Sequence, residues 1–114
     1  MPMRNKLLTG IVSFVAASTL GAVIALAAPA TLNGTVSDAM CGADHMGKDP
    51  AACTRACVAK GSDYALVVGT KVYTLKTKDT KLRATLDKLA GARAKVTGEA
   101  DGTTVNVTAV EAAN

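Results

Sequence analysis

The sequence predicts a mainly β fold: a small five-stranded OB-like barrel with a helix ahead of its fourth strand and a short Cys-bearing helix between its first two strands. Three observations carry this prediction. Two β-rich runs, 64–68 and 71–76, are separated only by Gly69-Thr70, a spacing that suits a tight hairpin. Leu82, Leu86 and Leu89 then recur at i, i+4 and i+7, as on one face of a helix. Strand-like alternation of small or apolar residues with polar ones stands on both sides of this block, at 31–38 and at 93–110. A five-stranded meander with a helix on one face would give the same linear pattern, so closure into a barrel rests on analogy with the order of elements.

Residues 1–30 are set apart from the fold. Arg4 and Lys6 precede a run without charge from Leu7 to Ala30, diluted by Thr, Ser and Gly and ending in Ala25-Leu26-Ala27 and Ala28-Pro29-Ala30. Two small-x-small sites in tandem read as signal-peptidase sites, with cleavage after Ala27 or Ala30, and an uncleaved anchor is the alternative. The expected product is a single exported domain over 31–114, periplasmic or extracellular, with no stable membrane span once the leader is removed.

The first strand is expected at 31–38, where Leu32, Gly34 and Val36 share a face. An insertion over 39–61 follows. Within it Asp49 is a ready N-cap and Pro50 a first helical residue, alanines follow, and Gly61 is a stop, which predicts a helix over 50–60. The second and third strands are 64–68 and 71–76. Asp79 or Thr80 caps the next helix, about three turns long with Gly91 at its end. The fourth and fifth strands, 93–99 and 103–110, are joined by a turn at Asp101-Gly102, and the Ala-rich tail from Glu111 is expected to fray.

Charge narrows the partners. Without Arg4 and Lys6 the 13 basic residues fall to 11 against 9 acidic ones, a formal +2 with no long basic block. Only Tyr64 and Tyr73 remain as aromatics, so no nucleic-acid surface of cations and stacking rings is expected. A domain of this size buries a small core and often takes a disulfide or a metal as a staple.

The chemistry is concentrated in the insertion. Cys41, Cys53 and Cys57 are the chain's three cysteines and His45 its one histidine, all within 41–57. On a helix, Cys53 and Cys57 lie four apart on one face, and Cys41 and His45 can complete a four-ligand set from the preceding loop. Zinc accepts Cys₃His as a closed structural site, and the flanking Met40 and Met46 raise copper as the other candidate, although ordinary apolar packing also accounts for the two methionines. Asp38 and Asp44 are candidates to orient the imidazole, and equally ordinary strand-end and turn residues. Arg55 either lowers a thiol pKa or sits on a solvated helix face.

Oxidising surroundings compete for the same sulfurs. Cys41 paired with Cys53 or Cys57 is more credible than Cys53 with Cys57, and either choice leaves one thiol over. The metal reading leads because the lone His sits at ligand spacing from Cys41. Two alternatives remain: a disulfide-stabilised module that binds a protein, peptide or glycan on its barrel face, and thiol redox sensing by the spare cysteine. No C-x-x-C-H, no C-x-x-C and no glycine-rich phosphate loop is present, and no residue is assigned a catalytic role.

GTVSDAMCG, the following His45, ACTRACV, YALVVGTKVYTL and KVTGEADGTTVNV together resemble small exported bacterial proteins that carry a Cys/His insertion in an OB-like domain. The resemblance spans the chain after the leader. It implies export and the barrel, and no particular chemistry.

Overall fold

The computed structural model describes residues 27–44 and 49–113. Residues 1–26 of the expected 1–30 leader, and His45 and Met46, lie outside them. The elements are β1 (Ala28–Asp38), α1 (Pro50–Ala59), β2 (Tyr64–Val68), β3 (Lys71–Lys76), α2 (Thr80–Lys88), β4 (Arg93–Asp101) and β5 (Thr104–Ala112).

The strands close into a barrel in the order β1-β2-β3-β5-β4, with β1 returning to pair with β4. All pairings are antiparallel except β3 with β5. Closure distinguishes the barrel from a meander, and the OB-like topology expected from the element order is the one observed.

β1 is the strand that changes partners. Its first part pairs with β4 from Ala28↔Ala100 to Thr35↔Arg93, and its second with β2 from Thr35↔Val67 to Asp38↔Tyr64. The switch falls at Thr35, which pairs with both strands, and at Gly34 beside it a Cβ would collide with the backbone carbonyl of Val67. Only a residue without a side chain lets the two strands cross this closely. The alternation read from the sequence places Gly34 and Val36 inward, both buried, with Leu32 half-buried.

The core is built from Val36, Leu66, Leu75, Leu86, Ala94, Val96 and Val105, together with Tyr64 and Val107. Leu86 enters it from α2 with no exposed surface, and Leu82 and Leu89 pack beside it, which is the expected leucine face. Asp79 is the N-cap of α2, its carboxylate accepting from the Lys81 and Leu82 amides.

β4 runs two residues past its expected end, to Asp101, and both outer ends of the chain's strands also differ from the sequence reading. The frayed tail is instead strand: β5 runs to Ala112, where Glu111 and Ala112 pair with Lys95 and Ala94, and the Ala113 amide donates to the Arg93 carbonyl at 3.1 Å. At the other end Ala28, Pro29 and Ala30, set aside with the leader, pair with Ala100, Glu99 and Gly98. In both cases β4 supplies the partner. Pairing with a long neighbour overrides the weak β preference of Ala, Glu and Pro.

Candidate metal centre

The site is assembled where β1 leaves the barrel. β1 ends at Asp38, which is completely buried. Its carboxylate Oδ2 accepts the backbone N–H groups of Met40 at 3.1 Å and Cys41 at 2.9 Å, and its carbonyl accepts the Gly42 amide at 2.8 Å. This is the local capping pattern of a short polar side chain, and it winds residues 38–42 into one tight turn. Gly42 closes the turn at φ 58°, and its carbonyl receives the Ser37 hydroxyl at 2.6 Å. Cys41 is thereby held at a fixed place above the end of β1.

α1 supplies the other two sulfurs. Asp49 caps it by accepting from the Ala51 and Ala52 amides at 3.1 and 3.2 Å, Pro50 occupies its first turn, and Gly61 at φ 105° ends it. Cys53 and Cys57 therefore lie one helical turn apart on one face, as their spacing requires. The helix is set against the barrel at Gly91, whose missing Cβ leaves room for Ala51: a side chain there would come within 3.0 Å of the Ala51 nitrogen.

The three sulfurs converge. Cys41 Sγ lies 3.9 Å from Cys53 Sγ and 3.9 Å from Cys57 Sγ, and all three thiols are free. A carboxylate oxygen of Asp38 joins them, so that ligand atoms of Asp38, Cys41, Cys53 and Cys57 all lie within 4.8 Å of one another. A tetrahedral ion with metal–sulfur bonds of about 2.3 Å separates its sulfurs by about 3.8 Å. The observed separations match that edge, and they are far longer than the roughly 2.05 Å of a disulfide. This Cys₃Asp group can hold a metal ion.

Its electrostatics point the same way. A hydrogen bond to Cys57, burial, a hydrogen bond to Cys53 and the negative charge of Asp38 together push the Cys41 thiol up to about 12. Burial likewise raises the Cys57 thiol, partly offset by its hydrogen bond to Cys41. Without a cation Cys41 and Cys57 resist ionisation. A redox-reactive thiol needs the reverse, an electropositive neighbourhood that favours thiolate. A bound cation would remove the conflict by neutralising the charges that crowd one another.

Of the four residues expected as ligands, the fold brings together Cys41, Cys53 and Cys57, while His45 lies outside the described residues. From the sequence Asp38 has no more than an orienting or strand-end role, whereas its carboxylate stands among the sulfurs. The signal for more was its position three residues before Cys41, where the turn folds it back onto the sulfurs. Asp44 is exposed and forms no part of the group. Met40 is 69% exposed, so ordinary apolar packing does not account for it. Arg55 turns away from the thiols: its guanidinium donates to the Asp87 carbonyl at 3.1 and 2.9 Å and lies 3.6 Å from the Asp87 carboxylate. It covers a carbonyl in the last turn of α2, a favourable place for a cation, and ties the two helices together.

Comparison with protein-family models, curated proteins and solved structures returns no match.

Proposed function

We propose that this protein is an exported OB-like domain that binds one soft metal ion, zinc or copper, through Cys41, Cys53 and Cys57, in a structural or metal-handling role. The observation that supports it best is the pair of 3.9 Å sulfur separations, which fit a tetrahedral ion and leave all three thiols unbonded. The ligands come from two separate pieces of chain, the turn after β1 and α1, so the ion would link them. A fourth ligand completes the shell, with Asp38 beside the sulfurs and His45 the residue that the sequence spacing nominates.

The small size of the domain agrees with a structural share in this role, because short chains commonly use a metal to supplement a limited core. Export is supported by the charged start, uncharged run and tandem small-x-small sites of the leader. Elemental analysis of the mature protein, combined with a thiol count, tests the reading. One equivalent of zinc or copper with three reduced cysteines is expected. Metal-free protein in which a disulfide has consumed two of the three thiols would remove it and favour the disulfide-stapled binding module.

A further inference from the structure

We propose that Asp38 is the residue that commits this site to a divalent ion, zinc, and sets it against monovalent copper. The proposal rests on the metal-binding reading above and names the class of ion. Three thiolates alone are a soft set that accepts zinc and copper(I) alike. Asp38 changes the set in two ways.

The first is charge. With Cys41, Cys53 and Cys57 ionised and Asp38 included, the group carries four negative charges within 4.8 Å. A divalent ion neutralises two of them and a monovalent ion one. Asp38 is fully buried, so water screens this difference poorly, and the carboxylate favours the ion with the larger charge. The effect needs only proximity.

The second is ligand chemistry. Carboxylate oxygen is an ordinary zinc donor, whereas copper(I) prefers thiolate and thioether sulfur. The adjacent residue that would add thioether character, Met40, has its side chain in solvent. Position reinforces both effects. The Met40 and Cys41 amides hold Oδ2 at 3.1 and 2.9 Å, so the carboxylate is fixed by the same turn that presents Cys41.

The test is Asp38→Asn in the mature protein. The amide oxygen can still accept from the Met40 and Cys41 amides, so the turn is kept while the charge is lost. Zinc affinity is measured against a chelator of known strength and copper(I) affinity against a chromophoric copper(I) chelator, with far-UV circular dichroism as the check on folding. Zinc binding is expected to weaken by about 10- to 100-fold, and copper(I) binding, with half the charge facing the lost carboxylate, by only about the square root of that factor, about 3- to 10-fold. Equal weakening of both ions, or unchanged zinc binding, would overturn the proposal while leaving the metal site intact. If the unaltered protein binds neither ion, the metal-binding reading itself fails. Should Asp38→Asn not fold, Asp38→Glu keeps the charge. A zinc-to-copper affinity ratio within about threefold of the unaltered protein then supports the proposal, and a fall of about tenfold or more overturns it.

Discussion

Cys41 is the residue on which the cluster turns, because it touches both helix sulfurs and is held by Asp38. Its thiol is raised from 9.0 to about 12 by Cys57, burial, Cys53 and Asp38, which means that the metal-free fold favours the protonated form. A group whose folded pKa lies above its unfolded one contributes stability below the unfolded value and loses it as the pH climbs through the folded value. Metal-free, reduced protein is therefore expected to lose stability progressively between pH 9.0 and about 12. Tyr64, raised mainly by burial and then by Asp87, adds to the alkaline loss. Urea midpoints at pH about 8 and about 10.5 measure the total, and Cys41→Ser isolates the thiol's part. The fall should be smaller in the variant; an equal fall in both proteins would show that Cys41 does not carry it.

Among the elements, β1 is the one whose extent has consequences for processing. Ala28, Pro29 and Ala30 pair with Ala100, Glu99 and Gly98, so a chain beginning at Thr31 lacks those pairs and one beginning at Ala28 keeps them. Net ladder hydrogen bonds contribute about 0.5–1.5 kcal/mol each, and Pro29 has no N–H to donate, so the shorter chain is expected to be less stable by about 1–2 kcal/mol. Thermal melts of the two chains, compared in one buffer, decide this, and equal midpoints would contradict the strand start at Ala28. The same strand shows what the sequence does and does not disclose. β2, β3 and both helix starts are written locally: Gly69-Thr70 forces the hairpin, and Asp49-Pro50 and Asp79 satisfy the first helical amides with their own side chains. The outer ends of β1 and β5 are decided by pairing with β4, far along the chain from β1 and across the β4–β5 turn from the end of β5, and no local preference of Ala, Pro or Glu announces that. The candidate site divides in the same way. Cys53 and Cys57 declare themselves by helical spacing, whereas Asp38 joins them only because the turn at Met40 and Cys41 folds its carboxylate back beneath the sulfurs.

At the scale of the whole molecule, the barrel and the insertion draw their stability from different sources. The barrel core consists of Val36, Leu66, Leu75, Leu86, Ala94, Val96 and Val105, and α1 adds only the partly buried Val58 to its edge. α1 has ten residues, of which only Thr54 is buried. Helices shorter than about 12–15 residues are marginal in water without tertiary contacts. The contacts of α1 are the buried Thr54, Val58 at the edge of the core, the approach of Ala51 to Gly91, the exposed Arg55 on Asp87 and the sulfur cluster. An exposed ion pair contributes little, about 0–1 kcal/mol, and Thr54 and Val58 are the α1 side chains set against the barrel besides Ala51 and the cysteines, so a metal bound at the cluster would add a main fastening of α1 to the barrel. Chelation of the metal-loaded protein under reducing conditions is therefore expected to release α1 and to leave the barrel folded. Hydrogen exchange resolves the two parts: amides of 50–59 should lose protection by at least about tenfold, and those of β4 and β5 should keep theirs. Loss of protection in every strand at once would show that barrel and insertion fold as one unit and that the metal supports the whole. Unchanged protection in α1 would show that its packing on Gly91 and Asp87 suffices without the ion.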